Sequence, residues 1–295
     1  MSSSGRPYKQ IYANELSEHI RPGNQRYVKE NLSGANPLCF NCATGISALV
    51  TAGAAQVDRM VTMPRGIGWE IYQATAQALM PLGVAGGGLE IAGDQVENEE
   101  VEYVLGGNDT GNPYGNLIDT DPSWFFRAKL KVTTVAGSDQ IALGFRKQQA
   151  YTAVPIFSVD GLYTDFAMFV LISGNLYVCT DLNNSGTAVA TDTGFNWANG
   201  ETHYPEIRMS GGLCSYLLNG VPLGQTVYRD GEGATITGQA TVKPPAFTFD
   251  TGDFVVPMIE ARMDAAPTTT IQLLEYECGP LSERGLNPNV TSRAK

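Results

Sequence analysis

A hairpin pattern at Thr202–Gly224 constrains the fold of this chain more than any other stretch of the sequence. The residues there are THYPEIRMSGGLCSYLLNGVPLG. Ile207 and Met209 alternate with polar neighbours, as in a strand with one buried face. Asn219-Gly220 ends a second apolar run and favours a tight turn, because both residues tolerate positive φ. Pro222 then predicts a short piece at a sheet edge, since proline has no backbone N–H to donate.

Other stretches repeat this strand pattern. Trp124–Val132 alternates apolar residues with polar ones such as Lys129, which predicts a strand with one buried and one solvated face. Ile141–Phe145 has the same period and would pair with it as a hairpin. Thr164–Ile172 is apolar on both faces, as expected for a central strand covered on each side. A series of short strands with few helices indicates a two-sheet antiparallel sandwich.

Composition excludes several classes of partner. The chain has 295 residues, only 17% of them charged, and 33 glycines, which suits a single large all-β domain with many tight turns. A net charge of −11 argues against nucleic acid and anionic membranes, because both attract basic surfaces. No apolar run is long enough to span a bilayer, and the N-terminal residues lack the apolar segment of a secretory signal. The sequence therefore predicts folding in a cytoplasm.

The sequence also predicts three regions. Residues 1–65 are polar or loosely patterned and have too little apolar surface for a core of their own, so we interpret them as an N-terminal arm that docks on neighbouring subunits. The strand series occupies residues 66–280 and ends at Gly279-Pro280, a strong stop signal. Residues 281–295 form a polar C-terminal tail.

Four of these features together resemble concanavalin A-like jelly rolls, the fold of lectins, glucanases and laminin-G-like domains. They are the alternating strand at Trp124, the doubly apolar strand at Phe166, the Asn219-Gly220 hairpin and the final strand IQLLEYECG. The resemblance implies an all-β, two-sheet antiparallel jelly-roll sandwich with an extended N-terminal arm. It also implies that the last strand, Thr270–Glu277, lies beside Trp69–Ala74. Jelly rolls with such an arm are similar to phage virion structural proteins.

No catalytic residue is predicted. A glucanase on this scaffold would carry Glu-x-Asp-x-x-Glu, which is absent, and Glu275 and Glu277 share a face without a third acidic partner. The chain has only two histidines, His19 and His203, so a serine or cysteine triad would have almost no base to use. We interpret His203 as a surface or turn residue, and the chain as a protein that is not an enzyme.

Metal sites receive little support from the sequence. Asp181, Asn183, Ser185 and Asp192 imitate the spacing of a calcium loop, but Asn-Ser-Gly at 184–186 is equally typical of a hairpin turn. We therefore predict no cofactor, with calcium at these four residues as the alternative. A zinc site at the Cys39-x-x-Cys42 pair would need two further ligands, for which His19 is the one candidate nearby, and we interpret the five cysteines as buried or incidental thiols.

Three aromatic residues could contact a ligand. Trp197, Tyr204 and Tyr228 lie on or near predicted loops and could form an exposed platform for carbohydrate, although three such residues are unremarkable in a chain with three tryptophans and thirteen tyrosines.

The leading functional hypothesis is a non-enzymatic phage virion structural protein: a capsid decoration, head-fibre or tail component. It would be made in the host cytoplasm and located in the virion, with capsid or other virion proteins and copies of itself as partners. The first alternative is a glycan-binding adhesin or receptor-binding module that contacts host surface glycan. A glycoside hydrolase or lyase is the remote alternative.

Overall fold

The computed structural model describes residues 28–31, 50–52, 55–61, 68–73, 89–91, 100–105, 115–119, 121, 123–152, 163–182, 188–228, 237–263 and 269–281. These residues form antiparallel strands and one short 3-10 helix, Val135–Gly137. No helix in these ranges is long and apolar enough to cross a membrane.

The smaller sheet contains eight of the described strands. Its order is β1 (Val28–Asn31), β20 (Ile271–Pro280), β8 (Trp124–Val132), β14 (Pro205–Ser210), β15 (Leu213–Leu218) and β16 (Val221–Pro222), with β13 (Thr202–His203) beside β8 and β5 (Leu89–Glu90) beside β20.

The larger sheet contains ten of the described strands. Its order is β12 (Val189–Asn196), β11 (Asn175–Asp181), β10 (Phe166–Ile172), β9 (Ser138–Lys147), β19 (Phe254–Met263), β6 (Glu100–Leu105), β4 (Gly68–Gln73), β3 (Ala55–Val61) and β2 (Val50–Ala52), with β7 (Asn116–Leu117) on β19. The prediction of an all-β, two-sheet antiparallel jelly-roll sandwich is confirmed.

A separate two-stranded ribbon, β17 (Thr226–Tyr228) with β18 (Gly238–Ala240), lies against β12, the outermost described strand of the larger sheet. The amide of Asn196 in β12 donates to Oε1 of Gln239 at 2.7 Å. The amide of Val242, just after the ribbon, donates to the carbonyl of Thr193 at 2.9 Å. The ribbon thus covers part of that sheet edge.

The core lies between the two sheets and is built by the alternating side chains of the strands. Trp124, Phe126 and Leu130 of β8 enter it, where Phe126 meets Phe145 of β9 edge-on at 6.1 Å between ring centroids. The prediction that the other face of β8 is solvated is wrong, because Lys129 on that face is only 7% exposed.

The prediction that Thr164–Ile172 is covered on both sides is confirmed for β10. Phe169 and Leu171 belong to the core between the sheets. Met168 and Val170, on the opposite face of the larger sheet, are buried in a second apolar cluster with Met258. Each face of the strand therefore removes apolar surface from water, which explains its continuous apolar sequence.

The neighbour implied for the last strand is wrong. Strand β20 pairs with β1, β8 and β5, whereas β4, which contains Trp69, lies in the larger sheet between β3 and β6. Val28 takes the place beside the last strand, in register with Cys278. Strands from residues 28–61 thus belong to both sheets. The division of the chain at residues 65 and 280 stays a prediction, and of the predicted tail only Leu281 is described.

Candidate functional site

The tight turn predicted at Asn219-Gly220 joins β15 to β16. Asn219 has φ of 52° and Gly220 has φ of 80°, and Leu218 is in register with Val221 across the turn. Asparagine is among the few residues with a Cβ that adopt this left-handed conformation readily. The backbone requirement thus places a side-chain amide at this end of the smaller sheet.

The Asn219 amide joins three other residues. Its Oδ1 accepts a hydrogen bond from the backbone N–H of Tyr204 at 2.9 Å. Its Nδ2 donates to the backbone carbonyl of Tyr228 at 2.8 Å and lies 3.0 Å from Nδ1 of His203. One side chain therefore fixes two of the three predicted platform residues relative to each other.

Tyr228 presents an open aromatic ring at this place. Strand β17 pairs Tyr228 with Gly238 of β18, and a Cβ added at Gly238 would lie 3.0 Å from Cε1 of the tyrosine ring. The glycine therefore lets the ring lie close to the neighbouring strand. Tyr228 is nevertheless 55% exposed, so much of its ring is open to a ligand.

Tyr204 is partly buried between β13 and β14. The Nζ atom of Lys129 lies 5.2 Å from the centroid of the Tyr204 ring, within the range of a cation–π interaction. This contact explains why Lys129 can be buried on the outer face of β8. The ammonium group and the tyrosine ring position each other.

The expectation of an exposed ring is wrong at Trp197, which is only 3% exposed. Its Nε1 donates to the carbonyl of Glu201 at 3.1 Å, and its ring meets His203 edge-on at 4.5 Å between centroids. Trp197 therefore packs beneath this surface as part of the core. Closeness to a predicted loop in the sequence did not distinguish the buried Trp197 from the exposed Tyr228.

The interpretation of His203 as a surface or turn residue is also wrong, because its side chain is fully buried. The imidazole lies between the rings of Phe195 and Trp197, and its Nε2 is 3.0 Å from Oε2 of Glu201. With Asn219 on the other ring nitrogen, both nitrogens are engaged. Contacts from Glu201 to His203 and from His203 to Asn219 therefore help to hold the Asn219-Gly220 turn in place.

A buried carboxylate cluster on the outer face of the larger sheet was missed by the sequence analysis. Oε1 of Glu102 accepts from Nη2 of Arg146 at 2.6 Å, and Oε2 accepts from the Tyr163 hydroxyl at 2.5 Å. The Arg146 guanidinium also lies 4.9 Å from the centroid of the Tyr163 ring. These partners are 44 and 61 residues away in the sequence, so no local motif announces them.

Glu100, two residues before Glu102 on the same strand, has an unusual acidity. Burial raises the pKa of Glu100 to about 7, and the neighbouring Glu102 adds to the rise, while the hydroxyl of Tyr151 donates to Oε1 at 3.1 Å. Burial, together with proximity to these carboxylates, also raises the pKa of Tyr151 and Tyr163. Glu100 can therefore exchange a proton near neutral pH, and Glu102 accepts two strong hydrogen bonds.

The paired Glu275 and Glu277 contact one arginine. Nη2 of Arg127 lies 2.6 Å from Oε2 of Glu277 and 3.4 Å from Oε1 of Glu275. Glu277 is fully buried, and a buried carboxylate requires such a partner to offset its desolvation. This arrangement fits a role in pairing β20 with β8.

The four calcium candidates are only partly described, since Asn183 and Ser185 lie outside the described residues. Asp181 is buried, and its Oδ1 accepts from the amide of Leu182 at 2.7 Å. Asp192 is exposed, and its Oδ1 accepts from the amide of Gly194 at 2.8 Å. Each carboxylate stabilises its own local turn, and calcium binding here stays a prediction.

Of the cysteines, three lie in the described part of the chain. Cys179, Cys214 and Cys278 are buried free thiols, as expected for core residues. Burial raises the pKa of each of these thiols, to about 12 for Cys179. Cys39, Cys42 and His19 lie outside the described residues.

Comparisons with known proteins find distant likenesses in structure. No protein-family model matches the chain, and no curated protein does. Its structure is similar to the VIP36 exoplasmic/lumenal domain in its Ca²⁺/Man3GlcNAc-bound form (12% identity, 77% of this chain and 89% of the other, TM-score 0.44). It is also similar to the potassium-bound carbohydrate recognition domain of Emp46p, with 9% identity over 81% of this chain and 97% of the other and a TM-score of 0.44. A third similar structure is lectin II from Ulex europaeus, with 13% identity over 67% of this chain and 88% of the other and a TM-score of 0.41. Likenesses of this strength identify no functional residue in the chain.

Proposed function

We propose that the chain is a carbohydrate-binding module whose ligand lies against Tyr204 and Tyr228. The observation that carries the proposal is the Asn219 amide, which holds the backbones of both tyrosines at 2.9 and 2.8 Å. Aromatic rings present an apolar face to the C–H groups of a sugar ring, and a phenol or ammonium at the edge supplies hydrogen bonds. Tyr228 offers the open face, and the hydroxyl of the partly buried Tyr204 offers the polar edge, with Lys129 holding the Tyr204 ring in place.

Asn219 acts as a positioning residue in this proposal. Its Oδ1 and Nδ2 contact Tyr204, Tyr228 and His203, so it orders the surface before the ligand arrives. Preorganisation of this kind reduces the entropy that binding must overcome. The chain's net charge of −11 disfavours anionic polysaccharides, so the ligand class is a neutral glycan.

A glycan is also what the Ca²⁺/Man3GlcNAc-bound VIP36 domain holds, although at a TM-score of 0.44 that likeness adds no weight. The virion location and the capsid partners stay predictions. They are compatible with this proposal, because a receptor-binding module can itself be a virion component.

A glycan array probed with the purified chain and with a Tyr228→Ala variant tests the proposal. We expect the wild type to bind a set of neutral glycans and Tyr228→Ala to bind them at least about tenfold more weakly, the effect of losing roughly 1.4 kcal/mol at a central aromatic contact. Because Tyr228 is largely exposed, the variant should fold normally.

Tyr177→Ala is the matched control, since Tyr177 is a partly buried tyrosine on β11 of the larger sheet. It should retain full binding. Failure of the wild type to bind any glycan, or equal binding by Tyr228→Ala, would contradict the proposal. Turnover of a bound glycan would instead favour the hydrolase alternative.

A further inference from the structure

Three aspartates converge at one end of the larger sheet, away from the surface proposed to bind glycan. Asp165 directly precedes β10, Asp253 directly precedes β19, and Asp250 lies three residues before Asp253. Strand β9 lies between β10 and β19, with Arg146 in register with Phe166 and Lys147 in register with Val255. The topology therefore brings together carboxylates from distant parts of the sequence.

The geometry of the three side chains suits a cation. One carboxylate oxygen from each of Asp165, Asp250 and Asp253 lies within 4.8 Å of the other two. Calcium takes oxygen ligands at about 2.4 Å, so two ligands on opposite sides of one ion lie about 4.8 Å apart. The three carboxylates therefore lie close enough together to share one ion after small side-chain adjustments. Asp250 is exposed, which leaves room for water to complete the coordination.

Asp253 supplies a second and independent observation. Its side chain is only 8% exposed, yet its Oδ2 has no hydrogen-bond partner among the residues that the structure describes. A buried carboxylate oxygen without a partner costs considerable free energy, and a bound ion is one of the ways in which native structures satisfy such an atom. The orphaned oxygen belongs to one of the three converging aspartates.

Lys147 is the cation that now contacts this cluster. Its Nζ lies 2.5 Å from Oδ1 of Asp253 and 3.4 Å from Oδ2 of Asp165. The hydrogen bond to Asp253 is the main cause that raises the pKa of Lys147. The lysine side chain is 37% exposed and sits on a flexible stem, so it can turn outward into water.

We propose that Asp165, Asp250 and Asp253 form a calcium site in which Ca²⁺ replaces the Lys147 ammonium. The ion would tie the ends of β10 and β19 together beside β9. The loop that carries Asp253 is already joined to β7, since the amide of Ile118 donates to the Asp253 carbonyl at 2.8 Å. The site is distinct from Asp181, Asn183, Ser185 and Asp192 in the predicted calcium loop.

Calorimetric titration and thermal unfolding in CaCl₂ or in chelator test the proposal on the full chain. We expect one calcium per chain and a rise in melting temperature of roughly 5 °C at saturation. MgCl₂ should give a smaller rise, because Mg²⁺ demands a tighter octahedral geometry. Asp253→Asn should abolish both the binding heat and the rise.

Two further variants keep the test decisive. Lys147→Met removes the competing ammonium and should increase calcium affinity about tenfold, while lowering the melting temperature in chelator. Asp250→Asn, at an exposed position, should weaken binding even where Asp253→Asn folds poorly.

Asp192→Asn, in the sequence-predicted calcium loop, is the matched control and should bind calcium like the wild type. The proposal is overturned by the absence of calcium binding up to about 10 mM, above the range of weak calcium sites. It is equally overturned by binding that survives Asp253→Asn or disappears in Asp192→Asn. Neither result would bear on the glycan proposal, which uses other residues.

Discussion

Asn219 and Tyr228 are joined by a hydrogen bond of 2.8 Å from side-chain amide to backbone carbonyl. This bond connects the last turn of the smaller sheet to the two-stranded ribbon, and so places Tyr228 near Tyr204.

Replacing Asn219 should therefore affect both stability and binding. Asn219→Ala loses the side-chain contacts to Tyr204, Tyr228 and His203 and keeps an unfavourable φ of 52°. We expect the free energy of unfolding in urea to fall by about 3 kcal/mol. Asn219→Gly relieves the backbone and should lose about 1 kcal/mol less. Wild-type stability in Asn219→Ala would show that the amide contacts contribute nothing.

Glu100 should make the stability depend on pH. Its pKa is raised from 4.5 to about 7 in the folded chain, so the folded state holds a proton that the unfolded state releases. The contribution of Glu100 to stability is therefore greatest below pH 4.5, falls as the pH rises from 4.5 to 7, and then levels off, with a total loss of about 3 kcal/mol.

The variant Glu100→Gln isolates this effect, because glutamine resembles the protonated acid and can still accept from Tyr151. Urea unfolding at pH 8 should show the variant about 3 kcal/mol more stable than the wild type, and the two should agree at pH 4.5. A constant difference across this range would contradict the assignment of the proton to Glu100.

Side chains along β8 should differ in their tolerance of substitution. Leu130→Asp places a carboxylate in the core between the sheets and should cost several kcal/mol. Lys129→Gln should cost about 1 kcal/mol through loss of its contact with the Tyr204 ring. Lys131→Gln, at a partly exposed position, should stay within about 0.5 kcal/mol. Equal costs for the three variants in chemical denaturation would contradict the two-sided packing of this strand.

Deleting residues 1–61 tests the boundary predicted at residue 65. The deletion removes β1, β2 and β3, and so uncovers β20 in one sheet and β4 in the other. We expect the melting temperature to fall by at least about 5 °C. Deletion of residues 1–27 spares all three strands and is the control. An unchanged melting temperature in the longer deletion would support an independent arm.

The parts of the fold that the sequence predicted are those that depend on neighbouring residues. The alternation at Trp124–Val132 and the Asn219-Gly220 turn are local signals, and the strand and the turn both form, although the face of the strand expected to be solvated is largely covered. The neighbour of the last strand, by contrast, depends on pairing between distant parts of the sequence. It was inferred from a resemblance, and β1 occupies the position expected for Trp69–Ala74.

Only part of the candidate site was predicted, because the rest depends on contacts between residues that are far apart in the sequence. Tyr204 and Tyr228 were identified as aromatic residues near loops, but the bond that relates them comes from Asn219, 15 and 9 residues away. The burial of Trp197 and His203 depends on packing between sheets. The convergence of Asp165 and Asp253 depends on strand order, which no local pattern in this sequence specifies.

The ribbon that presents Tyr228 also affects how the chain can meet copies of itself. An outermost strand offers backbone groups to which a strand of a second molecule can add. On β12 some of those groups are already bound by Gln239 and by the Val242 amide. A change that loosens the ribbon would therefore do more than displace an aromatic ring, since it would also expose a strand edge through which molecules could aggregate.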